Sequence, residues 1–165
     1  MRIMTDYIRL DSAGCTAIWE TRPDEAPLWR YWGPRLAEDA MPAGQLRDTR
    51  PEPSFSLHFD QPLSVFPGVG LGWFGQTALL AHRNGCDWAH AITSCAVEPV
   101  SNGVVFHLTD EIAALTISIR AVLDPETDVL TLSTSLRNDG GAPLDVQWLA
   151  AGNIPLPDDA QMVRS

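Results

Sequence analysis

The chain has 165 residues, 45% hydrophobic and 19% charged, a balance that suits one domain around a single core and excludes a disordered or collagen-like polymer. Its formal net charge is -10, from 21 acids against 11 bases that are all Arg. No basic run stands ready to hold a polyanion or an anionic membrane surface, so neither nucleic acid nor membrane is expected as a partner.

The longest apolar runs, such as residues 146–151, are far short of the roughly 20 that span a bilayer. Residues 1–10 carry Asp6 and lack the apolar stretch of a secretory leader, so a cytoplasmic location is expected. Cys15, Cys86 and Cys95 are odd in number and irregular in spacing, which predicts buried thiols without a disulfide framework.

In chain order, short strand candidates come first at residues 7–11, 16–20 and 28–32, each set off by turn residues. Trp29 and Trp32 flank Tyr31 in a strand whose faces alternate, which sends part of this aromatic cluster outward or into an interface. A polar, Pro-containing connection follows over residues 37–53, then a further strand at 55–59.

Gly70-Leu71-Gly72-Trp73-Phe74-Gly75 fits G-x-G-x-x-G, but a dinucleotide fingerprint needs a strand before it and a helix after it. Pro67-Gly68 makes the lead-in a turn, so the segment is expected to be a loop tip that pushes Trp73 and Phe74 outward. His82, Cys86 and His90 recur every four residues, which on a helix would align three zinc ligands. Asn84-Gly85 between them predicts a hairpin with surface histidines instead, and neither metal nor cofactor is expected.

A strand candidate over residues 88–97 leads to the clearest part of the chain. Val104, Phe106 and Leu108 alternate with Val105, His107 and Thr109 after an Asn102-Gly103 turn, and Leu115, Ile117, Ile119, Ala121 and Leu123 alternate with Thr116, Ser118, Arg120 and Val122. Asp124-Pro125-Glu126-Thr127 supplies turn chemistry before Leu130, Leu132, Thr134 and Leu136 resume the alternation. After Asn138-Asp139-Gly140-Gly141, Leu144, Val146 and Trp148 make a fourth antiparallel strand in this run. Eight to ten such strands without a helical stripe predict an all-β, antiparallel two-sheet sandwich.

Catalytic chemistry is not evident. Glycosidic cleavage needs two carboxyls facing each other across the bond, whereas Asp24-Glu25, Glu38-Asp39, Asp110-Glu111 and Asp158-Asp159 are neighbours that read as solvated turns. The six tryptophans, most of them expected in the core, offer faces on which the C–H surface of a sugar could stack.

Three segments carry a resemblance. Leu28-Trp29-Arg30-Tyr31-Trp32-Gly33-Pro34-Arg35-Leu36, the glycine-rich turn 70–75 followed by Ala78-Leu79, and the closing Asn153-Ile154-Pro155-Leu156-Pro157 stand in the order found in the N-terminal domain of glycoside hydrolase family 36 α-galactosidases. The chain resembles that domain along nearly its whole length. The resemblance implies a galactose-mutarotase-like supersandwich over residues 1–165, followed in a longer protein by a catalytic (β/α)8 barrel that holds the two aspartates of a retaining mechanism. The stop at Ser165 would then mark an excised piece or a truncated gene.

The same resemblance implies a non-catalytic module that packs on its own barrel, supports a homo-oligomer, and meets α-galactosides through the full-length enzyme. Many members read Gly-Asp-Phe-Arg at the turn, which in tetrameric members reaches a neighbouring subunit's active site. Here the matching positions are Gly72, Trp73, Phe74 and Gly75, so Trp73 and Phe74 are the candidate substrate-binding residues, offering stacking in place of a carboxylate. The alternative is a free-standing, lectin-like carbohydrate-binding module. An aldose-epimerase-like enzyme would need a Glu and His pair in a concave cleft, and the sequence nominates none.

Overall fold

The computed structural model describes residues 6–40, 61–69, 73 and 75–156. Among them lie β1 (Asp6–Asp11), β2 (Cys15–Arg22), β3 (Glu25–Pro34), β4 (Leu79–His82), β5 (Ser94–Val100), β6 (Gly103–Asp110), β7 (Leu115–Leu123), β8 (Leu130–Asn138) and β9 (Asp145–Leu149), with no α-helix. The expected strand at 55–59 and the acids Asp158 and Asp159 lie outside the described residues.

The strands form antiparallel sheets in the orders β1-β2-β3, β4-β9 and β5-β6-β7-β8. Alternation decides which faces meet. On β7, Leu115, Ile117, Ile119, Ala121 and Leu123 are buried while Thr116, Ser118, Arg120 and Val122 lie on the other face. Phe106 of β6 sets its edge against Trp19 of β2 at 5.7 Å, and Trp19 lies 4.7 Å from Trp29 of β3, so three aromatic rings join the two larger sheets. The all-β sandwich is as expected.

Two departures concern pairing. The expected run of four strands is three, because β9 leaves β8 and pairs with β4, from Leu79 opposite Leu149 to His82 opposite Asp145. The fourth member of the large sheet is β5, which begins at Ser94, while residues 88–93 run outside any strand. Asn138-Asp139-Gly140-Gly141 ends β8 as turn chemistry dictates, but where the chain goes next is set by contacts 65 residues away, such as Gln147 on His82.

A register shift between Ile18 and Trp19 leaves Arg30 as an extra residue on β3. Trp29 and Trp32, three apart, would face opposite ways on a regular strand. With the bulge between them, Trp29 pairs with Trp19 and is fully buried, and Trp32 pairs with Ala17 and packs on the same core. Tyr31 opposes Ile18 on the other face.

The turns are built as their residues require. Asn84 and Gly85 take φ of 49° and 78°, the positive values of a tight hairpin turn. At the β5–β6 turn it is Asn102 that takes the positive φ, 54°. Gly103 serves a different need, since a Cβ there would meet the Ala121 carbonyl oxygen at 2.3 Å.

Burial of the polar and sulfur groups differs from expectation. Cys86 is exposed, Cys15 is half-buried, and Cys95 is half-buried against the core; all three are free. Burial pushes the Cys95 thiol up to about 11, which keeps it protonated and unreactive at neutral pH. Trp19 and Trp29 are the tryptophans sealed in the core, while Trp88 and Trp148 are 44% and 47% exposed. Asp110, expected at a solvated turn, is buried.

Asp128, in the turn between β7 and β8, closes the loop between β1 and β2. The Ser12 hydroxyl at 2.6 Å and the Gly14 N–H at 2.8 Å donate to its carboxylate and hold it below the ordinary carboxyl range. An unfolded Asp titrates near about 3.9, so the unfolded chain takes up this proton first. The stabilisation is therefore present above about pH 4 and is lost as pH falls through the lower folded value. Asp128→Asn, which keeps an acceptor but not the titration, is expected to flatten the fall of the urea midpoint between pH 5 and pH 2. An unchanged slope would mean that other carboxylates set the acid limit.

Candidate functional site

The turn that carries Trp73 is pinched shut by the Ala78 N–H donating to the Pro67 carbonyl at 2.8 Å. Trp73 does not swing free at a loop tip. Its Nε1 donates to the Gln76 carbonyl at 3.0 Å, and its indole lies on Gly75, where a Cβ would come within 2.8 Å of the ring. Gly75 is thus the flat bed on which the indole rests. Phe74 lies outside the described residues.

Trp73 forms part of a solvent-open hollow of about 500 Å³, with Arg22 and Glu25 on its rim, Gln61 beside them, and Leu28, Pro62 and Pro67 among its apolar lining. Arg22 Nη1 donates to Glu25 Oε2 at 3.1 Å, and both side chains are about one-third exposed. The guanidinium is fixed from behind, because Arg22 Nη2 also meets Glu20 Oε1 at 2.9 Å, and Glu20, whose side chain is only 5% exposed, is bound to Arg30 as well. Only Trp73 of this set was legible in the sequence. Arg22 and Glu25 flank the Pro23-Asp24 turn of the β2–β3 hairpin, a spacing that signals an ion pair but not what faces it.

A smaller hollow of about 370 Å³ lies across Pro67-Gly68, lined by Phe66, Leu79, Trp88, His90 and Ile92. His90 is buried there, not at the surface as expected, with Nε2 3.2 Å from the Ala81 carbonyl and Nδ1 3.8 Å from Asp110 Oδ2. His82 and Cys86 sit at a hairpin closed by the Arg83–Cys86 bridge, His90 lies beyond it, and no cluster able to hold a metal occurs among the described residues. His82 packs against Trp88 with ring centroids 4.3 Å apart and planes tilted by 47°, its Nδ1 accepting from the Gly85 N–H at 3.1 Å.

The sequence reading also missed a row on the outer face of the large sheet. His107 Nδ1 lies 3.1 Å from Ser118 Oγ and Nε2 2.9 Å from Glu98 Oε2. Acyl transfer needs, besides such a row, N–H donors aimed at the developing oxyanion. His107 and Ser118 sit on β6 and β7, each paired on both sides, where the ladder engages the backbone N–H groups, so the row, with Glu98 on the edge strand β5, reads as a cross-strand surface network.

The fold is an all-β antiparallel sandwich with a Trp-lined hollow at one loop, and its buried acids Glu20 and Asp110 hold arginines and backbone N–H groups. The chain belongs to a known family, matching the glycosyl hydrolase family 36 N-terminal domain over residues 25–164. It is 28% identical over 136 residues to an α-galactosidase of Escherichia coli, an alignment that takes in 82% of this chain and 19% of the enzyme.

Solved structures share the fold. An α-galactosidase from Lactobacillus brevis matches with a TM-score of 0.66 at 16% identity over 88% of this chain and 23% of that one. A variant of the family 36 α-galactosidase AgaA from Geobacillus stearothermophilus, crystallised with raffinose, gives 0.66 at 18% identity over 87% and 24%. The chain therefore spans about a fifth to a quarter of the length of these relatives.

Proposed function

We propose that this chain is the non-catalytic N-terminal module of an α-galactosidase, whose full-length form hydrolyses terminal α-galactosides on a barrel that follows the sandwich. What carries the proposal is the match of residues 25–164 to the family domain, joined to the identity with an α-galactosidase over 82% of the chain. The module's work is mechanical: it packs on the barrel, supports a homo-oligomer, and lends Trp73, with Phe74, to a neighbouring subunit's site.

Surface chemistry favours a covering partner. On β9 the residues Asp145 to Trp148 are all exposed, on both faces of the strand, with Val146 and Trp148 about half exposed. Leu130, Leu132 and Leu136 of β8 are only half-buried although they point to the core side. An apolar surface of this kind is suited to an interface. No helix among the described residues is long and apolar enough to cross a membrane, and three free thiols suit a reducing cytoplasm.

The gene's full product, assayed with an aryl α-galactoside, is expected to release the aryl alcohol with retention at the anomeric carbon. An intact, folded full-length protein that leaves the substrate untouched would defeat the proposal.

A further inference from the structure

We infer that the hollow between Trp73 and the Arg22–Glu25 pair is a saccharide subsite, taking a neutral sugar ring of an oligosaccharide. That the sugar is a galactoside rests on the proposed function; that the hollow takes a neutral saccharide rests on its own chemistry. Like small-molecule sites, it combines an apolar lining with a few fixed polar groups.

Each wall answers one side of a sugar. A pyranose or furanose ring has a face of C–H bonds that stacks on an aromatic ring, and the indole of Trp73 is already immobilised by Gln76 and Gly75, so little order is lost on binding. A sugar's edge carries adjacent hydroxyls that both donate and accept. The Arg22–Glu25 pair presents a donor plane beside an acceptor carboxylate, and Glu20 holds that plane in place from behind. Gln61 adds an exposed amide that can serve either role.

Charge selects the class of ligand. Arg22 is flanked by both Glu20 and Glu25, so the rim carries no surplus positive charge to attract a phosphorylated or acidic sugar. An uncharged saccharide fits; an anionic one is repelled.

The test is a titration of the 165-residue chain with raffinose, sucrose, galactose and galacturonate, followed by the indole N–H signal of Trp73 in nitrogen-15 NMR. Saturable, millimolar-range shifts with a neutral sugar are expected. Trp73→Ala, followed on the amide signals around the hollow, should weaken binding at least tenfold, and Glu25→Gln severalfold. Gly75→Ala, which keeps the tryptophan but tilts its ring off the bed, should weaken binding while the spectrum stays folded.

Trp88→Ala and Trp148→Ala, which alter exposed tryptophans elsewhere, should leave binding unchanged. No saturation by any neutral sugar, saturation that survives Trp73→Ala, or tighter binding of galacturonate would each overturn the subsite. The two proposals fail separately. A full-length product without galactosidase activity whose N-terminal chain still binds sugar defeats the enzyme assignment alone, and an active enzyme whose chain binds none defeats the subsite alone.

Discussion

Trp29→Ala is expected to destabilise the domain by about 3–5 kcal/mol, the range for removing a buried large aromatic side chain. Trp29 is fully buried, lies 4.7 Å from Trp19, and donates through Nε1 to the Asn153 carbonyl at 2.7 Å. Asn153 in turn donates its N–H to Val65 and its side-chain amide to Ser64, so one indole ties β3, the segment at 63–66 and the last described stretch together. The substitution therefore opens a cavity and frees a carbonyl at once.

For a domain of this size, such a loss lowers the melting temperature by roughly 6–20 °C, taking about 2–4 °C per kcal/mol. Trp148→Ala, at a site 47% exposed, should move stability by no more than about 0.5 kcal/mol in the isolated chain. Calorimetry or urea unfolding of the two variants side by side checks both. Equal losses would mean that the aromatic cluster is not the centre of the core.

Asp110→Ala should cost about 2–5 kcal/mol by a different route. The carboxylate, with its side chain 1% exposed, accepts from the Ala91 N–H at 3.0 Å and the Ala113 N–H at 2.9 Å, and His90 Nδ1 faces it at 3.8 Å. Removing it leaves two backbone donors without an acceptor, each worth about 1–3 kcal/mol when buried. Asp110→Asn keeps one acceptor oxygen but turns an amide donor toward a backbone donor, so its loss should fall between wild type and alanine. Urea midpoints in the order wild type, Asn, Ala are expected, and an alanine variant within about 0.5 kcal/mol of wild type would show that water replaces the carboxylate.

Much of the sandwich was legible because its signals are local. The alternation of β6, β7 and β8 and the turn residues between them specify hairpins within a few residues, and the same holds for Asn84-Gly85, whose positive φ rules out the helix that His82, Cys86 and His90 would need. What escaped is long-range. Nothing around Val146 and Trp148 says that their strand pairs with residues 79–82, and the bulge at Arg30 that turns Trp29 and Trp32 to the same side shows only once β2 is beside it.

Burial of acids is hidden for the same reason. Asp110 and Glu111 look alike in sequence, yet Asp110 is enclosed by residues 90–91 and 113 while Glu111 is exposed. At the candidate site, Trp73 stood out as an aromatic among glycines, but the Arg22–Glu25 pair that lines the same hollow comes from a turn some fifty residues earlier.

The most direct test of the account is a turnover measurement on the purified 165-residue chain with an aryl α-galactoside, set against the gene's full product under the same conditions. The chain, shown folded by its tryptophan and amide spectra, is predicted to release no aryl alcohol above the uncatalysed rate, while the full product hydrolyses the substrate. Steady, saturable hydrolysis by the 165-residue chain itself would place bond cleavage within the sandwich and contradict its assignment as a scaffold.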